Sequence, residues 1–323
     1  MISMKINPII IVSGEPKSIF FEILFKTFKL KKIRSPIILI ASYKILKLEM
    51  KRFNYKKNIN FIKFNEIKNY KFDNKKINLI DIKYDNNLRK PDPLKDSIYI
   101  ENCFKIAFKI LKSGVSKKFL NGPINKYNFL KKKYPGITEY ISKKFKVKKV
   151  AMLIYNKEIS VCPITTHLPI RIVSKTIKQK LIKEKIELIN SFFIEKIGFK
   201  PKIAVTGLNP HCESILNDNE DNKIIYPAIK FLKRKGYNIE GPYPADTIFL
   251  KQNRKKYDVI VGMYHDQVLS PIKTLKEYNA INITLGLPFS RVSPDHGPNE
   301  KMINKNLSSP LSLIKSIEFL DRQ

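Results

Sequence analysis

Short apolar runs alternate with stretches of helical periodicity along most of the chain, and this alternation strongly constrains the fold. Residues 9–12 (Ile-Ile-Ile-Val) form an uninterrupted apolar run, as in a strand buried on both faces. The segment 18–29 that follows carries Phe20 and Leu24 on one helical face. Because buried strands separated by amphipathic helices are typical of parallel sheets covered by helices, we predict an α/β fold.

The same patterns predict further elements. The predicted strands are 9–12, 36–40, 77–82, 151–155, 160–164, 203–206, 259–263 and 280–284, and the predicted helices are 18–29, 97–112 and 178–194. The helix 97–112 has the clearest pattern, because Ile100, Phe104 and Leu111 share one stripe. Asp96 or Ser97 is the expected N-cap of this helix.

The net charge of +34, from 62 basic and 28 acidic residues, raises the question of a nucleic-acid partner. The lysines are scattered through almost every segment, and no nucleic-acid module is recognisable. We therefore interpret the charge as compositional, on solvated faces, and keep a basic nucleic-acid-associated protein as a distant alternative. No uncharged apolar stretch approaches the roughly 18 residues of a membrane span. We expect no membrane partner and a cytoplasmic location, with the three cysteines as buried thiols.

The eleven glycines exclude two common nucleotide-binding motifs. No two of them stand two positions apart, so the chain lacks the GxGxxG fingerprint of the Rossmann fold. None precedes Lys-Ser or Lys-Thr, as a phosphate-binding P-loop requires. If the chain binds a dinucleotide, another architecture binds it.

All four histidines lie in the second half of the chain, each near the end of a predicted strand or in a loop. They are His167, His211, His265 and His296. Ligands gather at the carboxyl ends of strands in open α/β sheets, and three imidazoles on a divalent metal leave a position open for substrate. Their spacing matches no short metal motif, so three independent loop histidines remain the alternative.

Several motifs in this half carry a resemblance to one enzyme family. They are 207–211 (Gly-Leu-Asn-Pro-His), 241–247 (Gly-Pro-Tyr-Pro-Ala-Asp-Thr), 264–267 (Tyr-His-Asp-Gln) and 282–289 (Asn-Ile-Thr-Leu-Gly-Leu-Pro-Phe), continuing through Arg291 to 295–297 (Asp-His-Gly). Weaker matches to the same family lie at 14–16, 122–126 and 136–139. Together, and in this order, they strongly resemble 4-hydroxythreonine-4-phosphate dehydrogenases.

The resemblance implies a homodimer of subunits with two α/β/α domains, like isocitrate and isopropylmalate dehydrogenases, with the active site in the interdomain cleft at the dimer interface. We assign residues 1–130 plus 285–323 to the first domain and 131–284 to the second. The implied reaction is NAD-dependent oxidation of 4-phosphooxy-L-threonine, a small phosphorylated hydroxy amino acid, to 2-amino-3-oxo-4-phosphooxybutanoate. That β-keto acid loses carbon dioxide to give 3-amino-2-oxopropyl phosphate, in pyridoxal phosphate synthesis.

The family's site residues carry over by position. The implied ligands of one divalent metal (zinc, or magnesium, cobalt or manganese) are His167, His211 and His265, and the implied substrate contacts are Thr138, Lys273, Asn282 and Arg291. Asp246 and Asp266 are our candidates for proton handling or for orienting ligand imidazoles, with helix or turn capping as the alternative. For His296 we favour a loop or nucleotide-side role over metal binding.

The chain departs from the family at a substrate contact. Ile137 stands where the family has a histidine, within residues 136–139 (Gly-Ile-Thr-Glu), and isoleucine cannot donate a hydrogen bond. The alternative function is therefore a sister dehydrogenase that acts on a phosphorylated threonate or erythronate.

Overall fold

The computed structural model describes residues 7–70, 72–88, 91–130, 133–212, 218–294 and 297–323. The strands in these ranges are β1 Ile9–Val12, β2 Ile37–Ala41, β3 Ile59–Phe61, β4 Ile77–Asp81, β5 Lys118–Asn121, β6 Ala151–Tyr155, β7 Ser160–Pro163, β8 Ile203–Thr206, β9 Ile239–Tyr243, β10 Val259–Gly262, β11 Ile281–Leu285 and β12 Ser290–Pro294. The α-helices are α1 Phe20–Leu30, α2 Tyr43–Arg52, α3 Pro93–Lys112, α4 Lys126–Leu130, α5 Ile137–Lys144, α6 Val173–Thr176, α7 Gln179–Phe192, α8 Tyr226–Arg234, α9 Ala245–Ile248, α10 Lys251–Arg254, α11 His265–Lys276 and α12 Leu311–Asp321.

By its internal contacts the chain divides into two compact units. Unit 1 comprises residues 1–137 and 288–323, and unit 2 comprises residues 138–287. Each unit has its own strands and helices, described separately below. The boundaries of independently folding domains, 1–130 plus 285–323 and 131–284, stay a prediction.

In unit 1 the strand order is β3-β4-β2-β1-β5-β12, and the neighbouring strands run parallel. β1 lies between β2 and β5, with Ile9 in register with Ile37 and with Lys118. All four residues of β1 are fully buried, as expected for a parallel strand whose two faces are both covered.

In unit 2 the strand order is β11-β6-β7-β10-β8-β9. The pairs β11–β6 and β6–β7 are antiparallel, whereas β7, β10, β8 and β9 form parallel pairs. The carboxyl ends of β7, β10 and β8 therefore lie side by side at one edge of the sheet. The predicted α/β class is confirmed in both units.

The start of α3 differs from the prediction. The helix begins at Pro93, and its N-cap is Asp92, whose carboxylate accepts a hydrogen bond from the backbone N–H of Leu94. Neither Asp96 nor Ser97 caps it, because both lie inside the helix with other partners. Asp96 accepts hydrogen bonds from side chains outside the helix, and the Ser97 hydroxyl donates to the carbonyl oxygen of Pro93. Pro93 explains the shift, since its fixed φ suits the first helical position.

Two of the three cysteines are buried thiols, as predicted. Burial raises the pKa of Cys103 and of Cys162 to about 12, which keeps both uncharged and unreactive at neutral pH. Cys212 is half-buried. Within the described ranges, no helix has the length and apolar character needed to cross a membrane.

Candidate active site

The three predicted metal ligands follow three adjacent parallel strands of unit 2. His167 lies four residues after the end of β7, His211 five residues after β8, and His265 three residues after β10. β10 lies between the other two strands. The structure thus places all three histidines at the carboxyl edge of one sheet, where α/β proteins bind ligands.

His167 and His265 are close to one another. Their ring centroids are 5.9 Å apart and the ring planes are inclined by 39°. Two imidazoles on one tetrahedral zinc ion, with Zn–N bonds of about 2.0–2.1 Å, have centroids roughly 5–6 Å apart. The separation of these two rings therefore fits two ligands of one divalent cation.

His211 lies beside an aspartate. Its Nδ1 is 4.0 Å from Oδ2 of Asp246, and both side chains are mostly exposed. In the part of the chain that the structure describes, no three His, Cys, Asp or Glu side chains group closely enough to hold a metal. The structure therefore brings two of the three predicted ligands together, and the complete three-histidine site stays a prediction.

The backbone at His211 is strained. His211 and Cys212 have φ angles of 57° and 60°, in the left-handed region that non-glycine residues rarely adopt. Such conformations cost about 1–3 kcal/mol each, and they cluster at functional sites. This strain supports a functional role for the loop that carries His211.

A buried carboxylate that we did not predict holds this loop. Asp221, 1% exposed, accepts hydrogen bonds from the backbone N–H of Leu208 at 2.8 Å and of Asn209 at 3.1 Å. Its Oδ2 also accepts from the side-chain amide of Asn209 at 2.8 Å. Gly207 packs against the same carboxylate, since a Cβ there would lie 2.6 Å from Asp221 Oδ1. No local motif links Asp221 to a loop twelve residues earlier, so the sequence offered no signal for it.

The two predicted catalytic aspartates lie next to histidines in different ways. Asp266 is the second residue of α11, and its Oδ1 is 2.6 Å from Nδ1 of His265. Asp246 is the second residue of α9, and its Oδ2 is 4.0 Å from Nδ1 of His211, which is beyond hydrogen-bond distance. The first contact fits an orienting carboxylate, of the kind that usually accompanies metal-ligating histidines.

Two predicted substrate contacts lie near one another at α5 and β11. The hydroxyl of Thr138, in α5, is 3.4 Å from that of Thr284 in β11. Asn282 is two residues before Thr284, so both side chains project from the same face of the strand. Asn282 Oδ1 is buried and accepts no hydrogen bond from any described residue. A ligand hydroxyl or amino group could supply the missing donor.

The two predicted cationic contacts lie in different units. Lys273 is in α11, eight residues after His265, which is roughly 12 Å along the helix. Arg291, in β12 of unit 1, is 3% exposed, and its Nε and Nη2 donate to Oδ1 of Asn121 at 3.0 and 2.8 Å. Asn121, which was not among the predicted site residues, fixes the orientation of the guanidinium. His296 lies outside the described residues.

Unit 1 also has a buried carboxyl group at the carboxyl end of β1. Burial raises the pKa of Glu15 to about 7, although the backbone N–H of Asn125 donates to Glu15 Oε2 at 3.0 Å and opposes the shift. The negative charges of Asp96 and Glu300 raise the pKa further. Glu15 therefore titrates near neutral pH, unlike an ordinary carboxyl group.

A family model and the similar known proteins agree on one family. The family model described as "Pyridoxal phosphate biosynthetic protein PdxA" matches residues 32–320. The chain is 37% identical over 315 residues to 4-hydroxythreonine-4-phosphate dehydrogenase of Sulfurihydrogenibium sp., which covers 95% of both chains. It is 34% identical over 253 residues to D-threonate 4-phosphate dehydrogenase of Pectobacterium atrosepticum, covering 75% of this chain and 76% of the relative.

Solved structures show the same fold. A crystal structure of 4-hydroxythreonine-4-phosphate dehydrogenase from Klebsiella pneumoniae matches with a TM-score of 0.81 and 28% identity, covering 98% of this chain and 100% of that one. Isocitrate dehydrogenase from Methylococcus capsulatus matches with a TM-score of 0.50 and 8% identity, covering 96% and 83% of the two chains. The second likeness concerns the fold alone, and it agrees with the predicted isocitrate dehydrogenase-like α/β fold.

Proposed function

Because the chain belongs to the PdxA family of pyridoxal phosphate biosynthetic proteins and is an oxidoreductase, we propose that it oxidises 4-phosphooxy-L-threonine with NAD. The observation that carries this proposal is the pair of imidazoles, His167 and His265, at the carboxyl edge of the unit 2 sheet. In this reaction the hydroxyl carbon gives a hydride to NAD⁺, and the hydroxyl proton passes to a base. The product, 2-amino-3-oxo-4-phosphooxybutanoate, then loses its carboxylate as carbon dioxide, and the amino-bearing carbon takes up a proton to give 3-amino-2-oxopropyl phosphate.

We propose that His167, His211 and His265 hold one divalent cation, zinc in the first instance. The chemistry that such a cation supplies when bound is polarisation of the substrate hydroxyl and later of the carbonyl. Asp266 holds His265 in one orientation through its 2.6 Å contact. Asp246, exposed and close to His211, is placed to exchange protons with solvent.

Four other side chains orient the substrate in this proposal. The Thr138 hydroxyl and the Asn282 amide bind its polar groups, and the unsatisfied Oδ1 of Asn282 accepts a hydrogen bond from the substrate. Lys273 and Arg291 bind its phosphate and carboxylate, for which a guanidinium offers two parallel donors.

A second candidate substrate is threonate 4-phosphate. The Pectobacterium relative is named as a D-threonate 4-phosphate dehydrogenase. The observation that favours it is Ile137, the first residue of α5, which is 7% exposed and adjacent to Thr138. An apolar group at this position removes the hydrogen bond that the family's histidine makes to its substrate. Erythronate 4-phosphate belongs to the same class.

The remaining proposals concern the setting of the enzyme. We propose a homodimer in the cytoplasm, with NAD and one divalent cation per active site. We also propose that the net charge of +34 serves solubility and attraction of anionic substrates, and that the chain has no nucleic-acid partner.

The test is NADH formation by purified, metal-loaded protein with 4-phosphooxy-L-threonine, threonate 4-phosphate and erythronate 4-phosphate, each with NAD and with NADP. We expect the highest kcat/KM with 4-phosphooxy-L-threonine and NAD. A preference for threonate or erythronate 4-phosphate would transfer the assignment to the sister activity. Salt-sensitive retention of DNA, without turnover of any substrate, would favour a nucleic-acid-associated protein instead.

A further inference from the structure

Five lysines line one cavity at the amino edge of the unit 1 sheet. The cavity lies beside Ile37 and Ile77, the residues at which β2 and β4 begin. It is therefore at the opposite edge of this sheet from Glu15, which follows the end of β1. Its volume of about 320 Å³ falls within the roughly 300–1,000 Å³ of small-molecule sites. The lysines that line it are Lys31, Lys32, Lys57, Lys75 and Lys76.

Two asparagines hold together the segments that form this cavity. The side-chain amide of Asn74 donates to the carbonyl oxygen of Ile33 at 3.0 Å and accepts from the backbone N–H of Ile37 at 3.0 Å. Asn78 is buried, and its Nδ2 donates to the carbonyl oxygens of Ile37 at 3.0 Å and of Asp73 at 2.7 Å. The loop between α1 and β2 and the turn before β4 are therefore fixed to one another. A cavity that is already formed loses little entropy when a ligand enters it.

The positive charge around the cavity is only partly balanced. Lys31 pairs with Glu318, with 3.0 Å between Nζ and Oε1. No carboxylate in the described part of the chain forms an ion pair with Lys32, Lys75 or Lys76. A concave surface lined by charges of one sign focuses the electrostatic field and attracts ions of the opposite sign. This group of lysines therefore differs from the solvated lysines on the other faces of the chain, and it favours an anionic ligand.

One wall of the cavity is an aromatic ring. Phe28 of α1 is half-buried, and Nζ of Lys57 lies 5.2 Å from the centroid of its ring. Burial lowers the pKa of Lys57 below its ordinary value, while the negative charge of Asp73 opposes the shift. An ammonium group that has lost part of its water gains more from a bound anion than an exposed one does. The ring offers a planar apolar surface to the rest of the ligand.

We propose that this cavity binds a small ligand in which a phosphate group is attached to a planar aromatic ring. Lys32, Lys75 and Lys76 bind the phosphate through charge-assisted hydrogen bonds, and the ring packs against Phe28. The site does not depend on the proposed oxidation, because no residue that lines the cavity has a role in it. Two classes of metabolite share this chemistry, the nucleoside monophosphates and the phosphorylated pyridines.

The test is isothermal titration calorimetry on the full chain at constant ionic strength, with phenyl phosphate as the probe. We expect phenyl phosphate to bind more tightly than inorganic phosphate does. Lys75→Gln combined with Lys76→Gln should weaken its binding by about tenfold or more, because two charged donors are lost. Phe28→Leu keeps the wall apolar, and it should weaken phenyl phosphate by about two- to tenfold while inorganic phosphate binds as before.

The matched control is Lys255→Gln combined with Lys256→Gln. These two lysines are adjacent and exposed in unit 2, and replacing them removes the same two charges from the chain. Its affinity for phenyl phosphate should be that of the wild type. AMP and pyridoxine 5′-phosphate are then compared by the affinity that each loses in the Lys75→Gln, Lys76→Gln variant, because binding elsewhere on the chain is common to both proteins. The larger loss identifies the class of the natural ligand.

Three results would overturn the proposal. A wild type that binds no phenyl phosphate has no such site. Equal losses of affinity in the two double variants would show a diffuse attraction by the net charge. Inorganic phosphate bound as tightly as phenyl phosphate, with no effect of Phe28→Leu on either, would show a site that recognises no ring.

Discussion

Nδ1 of His265 lies 2.6 Å from Oδ1 of Asp266, the residue that follows it at the start of α11. A carboxylate at this distance favours the imidazole tautomer with its proton on Nδ1. The lone pair of Nε2 is then directed away from the carboxylate and is available to a cation. Of the two roles considered for Asp266, the contact supports the orienting one.

Asp266→Asn should weaken Zn²⁺ binding by about tenfold, because a neutral amide supports the Nδ1 proton less strongly than a carboxylate does. Asp246→Asn is the comparison, since Asp246 is 4.0 Å from His211 and makes no short contact with it. We expect less than about a threefold effect there. Chelator competition on both variants measures the difference, and equal losses would contradict the orienting role.

Replacing any one of the three predicted ligands should weaken Zn²⁺ binding more than replacing a residue that only contacts a ligand histidine. We expect His211→Ala to weaken Zn²⁺ binding beyond the roughly 10- to 100-fold typical of an outer-shell change, because two ligands hold a divalent ion poorly. His296→Ala is the control, as the histidine that we did not assign to the metal. Stoichiometric binding by His211→Ala with unchanged affinity would exclude a shared site.

Much of the sheet was predictable because buried parallel strands are uninterrupted apolar runs. The predicted strands 9–12, 151–155 and 203–206 coincide with β1, β6 and β8. β5 was missed because its sequence, Lys-Phe-Leu-Asn, has polar ends, yet its lysine is buried and donates through Nζ to the hydroxyl of Ser35 at 3.0 Å. β9 was missed because it contains glycine and proline, which are rare in strands.

The site was predictable where a residue's neighbours lie close in sequence, as for His265 and Asp266. Asp221 and Asn121 were not assigned roles, because their partners lie far along the chain: Asn209 is 12 residues from Asp221, and Arg291 is 170 residues from Asn121. A carboxylate or amide that supports a loop from within the fold has no sequence pattern of its own. Such supports become visible only when the tertiary contacts are known.

Arg291→Lys should lower kcat/KM with the phosphorylated substrate by roughly 10- to 150-fold, corresponding to about 1.5–3 kcal/mol for a charge-assisted hydrogen bond. A lysine presents a point charge, and it cannot make the two bonds that Nε and Nη2 make to Asn121. Arg322→Lys, at an exposed position after α12, is the control and should behave as the wild type. Steady-state kinetics with wild-type values for Arg291→Lys would remove Arg291 from the substrate site.

Glu15 should make the stability of unit 1 depend on pH. Its pKa is about 7 in the folded chain, above the ordinary value of 4.5, so folding favours the protonated form. The stabilisation is fully present below about pH 4.5 and is lost as the pH rises through about 7. At alkaline pH, Glu15→Gln should therefore be more stable than the wild type, by up to the order of 3 kcal/mol, with little difference at acid pH.

Urea denaturation of both proteins at about pH 5 and about pH 8 measures this difference. Gln keeps an acceptor for the N–H of Asn125, so the variant changes the charge without deleting the hydrogen bond. If the two proteins differ by the same amount at both pH values, Glu15 does not titrate in the way its burial implies.

Ile137 is the position where this chain lacks a substrate contact of its family. It is the first residue of α5, buried and apolar, directly before the Thr138 hydroxyl. We expect Ile137→His to lower the KM for 4-phosphooxy-L-threonine several-fold without raising kcat, because a neutral hydrogen bond contributes about 0.5–1.5 kcal/mol. Ile137→Val, which stays apolar, should leave KM unchanged. Unfolding temperatures of both variants are needed as well, since a buried imidazole without a partner costs about 1–3 kcal/mol.

The kinetic pattern separates two accounts of this position. If the cation and its histidines carry the chemistry, the wild type turns over substrate and the histidine improves binding alone. If the missing histidine is essential to catalysis, the wild type is inactive with 4-phosphooxy-L-threonine and Ile137→His switches it on. The second outcome would contradict our assignment, and activity of the same wild-type preparation with threonate 4-phosphate would then identify the sister reaction as its function.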